Sequence, residues 1–141
     1  MRMKEDQARI DISKEGAIAE AAEAARNIAA IIGMGSTMQY MVATATSELA
    51  TNIHRYAGHG SIAIAIISSG GRQGIEIIAS DNGPGISDLK SALLDNFSTS
   101  GSLGVGLPGT KRMMDQFDIE STPGKGTRVI IRKWLEKTGE I

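Results

Sequence analysis

The sequence predicts an α+β domain in which helices lie on one face of a mostly antiparallel sheet. Three observations point to it. Two long stretches with helical spacing lie between about residues 14 and 56, and five stretches of alternating or β-branched residues surround them. A Gly-Gly pair and a Pro-Gly-Lys-Gly segment then separate neighbouring strand candidates at hairpin distance. The chain has 141 residues and 41% hydrophobic content, enough for one domain with a proper core. No linker, repeat or low-complexity tract divides it, so a single unit over 1–141 is expected.

Ala8 to Ile12 alternates polar and apolar residues and reads as a short edge strand. Ser13 is placed to cap a helix from about Lys14 to Ile32, with Ala17, Ala21, Ala24, Ile28 and Ile31 on its inner face. Gly33 and Gly35 end it, and Ser36 with Gln39 gives a capping-box signal for a second helix reaching about Tyr56. Val42, Ala45, Leu49, Ile53 and Tyr56 form its apolar stripe. Glu48 and Asn52, at i and i+4, share one line at the edge of that stripe.

Ser61 to Ser68 and Gly74 to Ser80 read as a hairpin joined at Gly70-Gly71-Arg72-Gln73, with Ile62, Ile64 and Ile66 on one face and alanines on the other. After a turn at Asp81, a short helix is expected from about Ser87 to Asp95. A Ser/Thr/Gly-rich loop, Asn96 to Gly106, leads into a helix over Leu107 to Gln116, with Pro108 in its first turn. Phe117 to Ser121 and Thr127 to Trp134 alternate as the last two strands, joined by Thr122-Pro123-Gly124-Lys125-Gly126.

A net charge of -1 supplies no general field for nucleic acid or an anionic membrane. Lys111, Arg112, Lys125, Arg128, Arg132 and Lys133 nevertheless gather in the C-terminal third, where they suit phosphate or an acidic partner. The absence of cysteine excludes disulfide and thiolate chemistry. The N-terminus lacks a signal-peptide core and no apolar run is long enough to span a bilayer, so a cytoplasmic protein is expected. His54 and His59 read as surface residues, and Trp134 and the methionines as core filling.

Four segments are candidates for chemistry. Asp81 opens Asp81-Asn82-Gly83-Pro84-Gly85-Ile86, where an acceptor carboxylate and bare glycine backbone would suit a flat base, although the same residues make an ordinary turn. Gly101-Ser102-Leu103-Gly104-Val105-Gly106-Leu107 runs into a helix, so its amides and the positive helix end can meet phosphate oxygens; a plain surface loop reads the same way. Ser98-Thr99-Ser100 before it could form a lid. Asn52 offers a neutral oxygen for Mg2+, and Glu48 a carboxylate for proton transfer, or both are the solvated flank of a helix. Thr127, after Gly124-Lys125-Gly126, could support a base through its hydroxyl, or simply follow a hairpin turn.

Taken in order, Glu48-xxx-Asn52, Asp81-x-Gly83-x-Gly85, Gly101-xx-Gly104-x-Gly106 and Gly124-x-Gly126-Thr127 resemble the four boxes of the gyrase, Hsp90, histidine-kinase and MutL (GHKL) ATPase superfamily. The likeness covers almost the whole chain and is most specific to the anti-sigma-factor type of protein serine kinase. It implies a two-layer α/β sandwich of the Bergerat type, with ATP between helices and sheet. By the resemblance Asn52 holds Mg2+, Asp81 reads adenine, Gly104 and Gly106 line the phosphates, and Glu48 is the general base. A STAS-domain antagonist protein is the implied phosphorylation substrate, and a PP2C-type phosphatase or sigma factor a second partner. Ser102 and Leu103 stand where relatives that bind sigma factors often place an arginine, which leaves Lys111, Arg112 or Lys125 as candidate cations for the γ-phosphate. A non-enzymatic, nucleotide-dependent anti-sigma or phosphatase-binding regulator is the alternative.

Overall fold

The computed structural model describes residues 2–86 and 106–136. Strand β1 (Met3–Ile12) is followed by helices α1 (Gly16–Ile31) and α2 (Ser36–Asn52), the hairpin β2 (Gly60–Ser69) and β3 (Arg72–Asp81), helix α3 (Gly106–Met113), and the hairpin β4 (Gln116–Thr122) and β5 (Gly126–Trp134). All strand pairs are antiparallel, in the order β1-β2-β3-β5-β4. The expected α+β sandwich is therefore present. The helical layer packs on one face, where Ile12, Ile62, Ile64, Ile75, Ile77 and Ile131 meet Ala21, Ala25, Val42, Ala45 and Leu49. Burying an isoleucine stabilises the fold by roughly 1.5–3 kcal/mol, so these strand residues fix which face the helices cover.

Strand alternation puts the small residues Ala63 and Ala65 on the opposite face of β2. Glu76 lies on that face, nearly fully buried, with Lys4 Nζ 2.9 Å from its Oε1 and Arg132 Nε 2.8 Å from its Oε2. Lys4 is in β1 and Ala65 lies between β1 and Glu76, so a small side chain on β2 gives the lysine a path across the strand. Trp134 sits on this face too, against Gly74 and 5.3 Å beneath the Arg72 guanidinium, rather than in the helix-side core.

Several boundaries differ from the sequence expectation. The edge strand β1 begins at Met3, five residues early, because Lys4 is anchored by Glu76 and the strand continues past an irregularity between Asp6 and Ala8. Helix α1 starts at Gly16 with Glu15 at the cap, so Ser13 does not cap it. Its buried line is Ala21, Ala25, Ile28 and Ala29, which runs on toward Ile32, and Ile31 is left 77% exposed. Gly35 caps α2, and the Gln39 side chain ties back to the Met34 carbonyl at 2.8 Å instead of to Ser36. Beyond Asn52 the backbone widens into a π-turn, Ile53–Ala57, which rotates Tyr56 out to 47% exposure. Helix α3 stops at Met113 because Asp115 already joins the sheet: its amide donates to Arg132 O, and its Oδ2 accepts the Trp134 amide.

Candidate functional site

The ends of α2, β3 and α3 supply the site. Glu48 and Asn52 are both half-buried on the last turns of α2, on the line the i, i+4 spacing predicts. Gly106 opens α3, and its N–H donates to Glu48 Oε2 at 3.3 Å. Residues 58 positions apart thus meet where a helix N-terminus carries its positive partial charge. Leu107, also predicted for this site, is buried in the first turn of α3, while Lys111 is exposed further along the helix. Gly101, Ser102, Leu103, Gly104 and Val105 lie outside the described residues, as do the expected helix Ser87 to Asp95 and the Ser98-Thr99-Ser100 segment.

Asp81 ends β3, paired with Gly60 on one side and Thr127 on the other. Its Oδ1 accepts the Gly83 amide at 2.9 Å, which closes the turn and leaves Oδ2 without a hydrogen bond among the described residues. The glycines of this turn serve contacts within the protein. A Cβ on Gly83 would strike Ala57 of the π-turn at 2.6 Å, and one on Gly85 would strike the Thr122 carbonyl. Gly126, at φ +117°, lies against the Asp81 carbonyl in the same way. The glycine spacing thus packs the Asp81 turn between the end of the helical layer and the β4–β5 hairpin.

The sequence reading missed two polar groups, one at each end of the candidate site. Ser121 Oγ accepts the Ile86 amide at 2.7 Å and sits 2.8 Å from Thr127 Oγ1. Thr127 is therefore tied to Ser121, and Ile86 is tethered beside both. Strand alternation places Ser121 on the inward side with Phe117 and Ile119, so a hydroxyl there was a detectable signal. The Gly124 amide also donates to Pro84 O at 2.7 Å, which brings the turn carrying exposed Lys125 next to the Asp81 segment. The second missed residue is Thr110, fully buried, whose Oγ1 donates to the Gly106 carbonyl at 2.9 Å.

His54 is half-buried instead of lying at the surface, and its buried Nδ1 has no hydrogen-bond partner among the described residues. His59 is exposed, as expected. No group of three or more His, Cys, Asp or Glu side chains suited to a metal occurs among the described residues, and none of their helices is long and apolar enough to cross a membrane. Asn52 offers one neutral oxygen, the type of protein contact Mg2+ can accept when phosphates supply the remaining ligands. A carboxylate oxygen with spare acceptor capacity at the Asp81 end and a positive helix N-terminus at the α3 end are of the kinds that could meet the two ends of a nucleotide.

Residues 39–137 match the model of the histidine kinase-, DNA gyrase B-, and HSP90-like ATPase family. The chain is 47% identical over 130 residues to the serine/threonine-protein kinase RsbT of Bacillus subtilis (strain 168), covering 92% of this chain and 98% of that protein. It is 39% identical over 100 residues to an anti-sigma F factor of Thermoanaerobacter sp. (strain X514), covering 67% of this chain and 68% of the relative. An anti-sigma F factor of Halalkalibacterium halodurans is 32% identical over 118 residues, 79% of this chain and 81% of its own.

Proposed function

The chain belongs to the histidine kinase-, DNA gyrase B-, and HSP90-like ATPase family, in its serine/threonine-protein kinase branch, and on that premise we propose that it is a cytoplasmic partner-switching kinase. It transfers the γ-phosphoryl group of ATP to a serine or threonine of a STAS-domain antagonist protein and, once released, binds and activates a PP2C-type phosphatase. The observation that carries this function is the contact between the Glu48 carboxylate and the first amide of α3. It puts a proton acceptor beside the place where a helix N-terminus favours phosphate oxygens.

In this mechanism Asp81 accepts the adenine amino group through Oδ2, with Ile86, Ser121 and Thr127 forming the wall beside it. The positive N-terminal end of α3 orients phosphate oxygens, while the Gly106 amide holds Glu48. Glu48 takes the proton of the acceptor hydroxyl as that oxygen bonds to the γ-phosphorus and the bond to ADP breaks. Mg2+, when bound, neutralises phosphate charge, and Asn52 is the residue that would hold it. Positioning and charge neutralisation supply most of the acceleration, because the transfer asks little covalent chemistry of the protein.

The test is incubation with Mg-ATP and a STAS-domain protein encoded beside it, followed by detection of phosphoserine or phosphothreonine. Glu48→Gln is expected to slow transfer by about 10²–10⁴-fold, the usual contribution of a general base, with ATP affinity retained. Undiminished transfer in that variant would remove Glu48 from the role. Stoichiometric binding of a sigma factor or phosphatase, with no transfer to any STAS protein, would instead favour the non-enzymatic regulator, the behaviour the name of the anti-sigma F relatives suggests.

A further inference from the structure

Thr110 is fully buried on α3, and the chemistry above gives it no part. Valine would fill the same space without a hydroxyl that must find a partner. The partner it finds is the carbonyl of Gly106, at 2.9 Å, and the amide of that same glycine holds Glu48 at 3.3 Å. We infer that Thr110 is a positioning residue for Glu48, acting through Gly106; this rests on the assignment of Glu48 as the base.

The geometry explains why such a support is needed. Gly106 stands at φ +66°, in the left-handed region, and glycine leaves both its torsions soft. Pro108, in the first turn, has no N–H to contribute to that turn. A hydrogen bond of 3.3 Å is already long, so a modest rotation at Gly106 breaks it. The Thr110 hydroxyl fixes the Gly106 carbonyl from the far side and so limits that rotation. Fixing the carbonyl keeps the amide aimed at the carboxylate.

The fold provides an internal control. Thr46 in α2 is equally buried and makes the same type of bond, to the Val42 carbonyl at 2.8 Å, but among the described residues no hydrogen bond joins Val42 to a predicted site residue. A purely structural role for such hydroxyls predicts similar behaviour of Thr46→Val and Thr110→Val. Positioning predicts a difference.

The experiment uses the full chain, Mg-ATP and the STAS-domain acceptor named above. Thr110→Val is expected to lower kcat roughly three- to tenfold, the scale of one lost hydrogen bond, while KM for ATP changes less than about twofold. Thr110→Ser restores kcat, Thr46→Val leaves it unchanged, and Thr110→Val adds no further loss to Glu48→Gln. The amide resonance of Gly106 in nitrogen–proton correlation spectra shifts in Thr110→Val in the direction seen in Glu48→Gln. Unchanged kcat, an equal loss in the Glu48→Gln background, or an unmoved Gly106 resonance each overturns the role. If the wild type phosphorylates no acceptor, the kinase assignment fails and the Gly106 resonance alone decides whether Thr110 controls the contact. Thr110→Ala replaces Thr110→Val in the same comparison should the valine variant not fold.

Discussion

At the scale of single residues, the glycines of the site are distinguished by what lies next to them. Gly126 and Gly124 both have positive φ, +117° and +81°, and both belong to the β4–β5 turn. A Cβ on Gly124 meets nothing within 4 Å, whereas one on Gly126 would overlap the Asp81 carbonyl and come 2.8 Å from Asn82 Cα. Gly124→Ala therefore incurs only the left-handed backbone cost, about 1–2 kcal/mol. Gly126→Ala adds a backbone clash that only a shift of the Asp81 turn relieves, and is expected to cost about 3 kcal/mol or more. Urea unfolding with an unchanged m-value measures both. Since the clash falls on Asp81, Gly126→Ala should also weaken ATP binding. Equal stabilities for the two variants would mean that the turn yields without resistance.

At the scale of elements, Glu76 joins strands that are not neighbours. Lys4 of β1 and Arg132 of β5 flank it, and Arg132 Nη1 reaches Gln116 of β4 at 3.3 Å, so one polar chain crosses the outer face of the sheet. Burial pushes the Glu76 carboxyl pKa up, but the hydrogen bonds and charges of Lys4 and Arg132 outweigh it and hold the value below the usual range. A carboxylate with a lowered folded pKa binds fewer protons when folded. Its stabilisation is then fully present above the unfolded value, about 4.3, and disappears as pH falls through the folded value. Glu76→Gln should be less stable than wild type by roughly 1–2 kcal/mol at pH 7, a modest figure because Lys4 is half exposed and screened. That difference should shrink below about pH 4; a gap that stays constant down to pH 3 contradicts the ion-pair account.

The same chain of contacts marks what the sequence made legible and what it did not. The β2–β3 hairpin was plain because Gly70 and Gly71, both at positive φ, permit only a tight turn between isoleucine-rich strands. The first residues of β1 were not, because their pairing depends on Glu76, more than seventy positions away. In the candidate site, Glu48, Asn52 and Asp81 stand out in the sequence because the chemistry proposed for them requires particular residue types at fixed spacing. Thr110 and Ser121 were not singled out: a threonine bonding the carbonyl one helical turn back carries no special spacing, and the alternation that turns Ser121 inward does not say that the Ile86 amide and the Thr127 hydroxyl meet it. The π-turn after Asn52 likewise carries no residue signature that distinguishes it from a continuing helix.

For the whole molecule, the site lies where the helical layer meets one end of the sheet, so ligand binding and folding are linked. ATP held by the α2 end, the Asp81 turn and the α3 N-terminus would bind only when all three are assembled, and the unfolded chain has no equivalent. At a free concentration about a hundred times Kd, such a ligand stabilises by about 2.7 kcal/mol. For a domain of this size that corresponds to a rise in Tm of about 10 °C. If Asn52 holds Mg2+ at the phosphates, part of the rise depends on the metal: wild type with ATP and EDTA should melt below wild type with Mg-ATP. Asn52→Ala should melt at the same temperature in both conditions while still responding to ATP, because the Asp81 turn and the α3 N-terminus remain. Thermal melts of the two proteins under the two conditions measure this directly, and an Asn52→Ala protein that keeps the full metal-dependent increment would assign Mg2+ to another ligand.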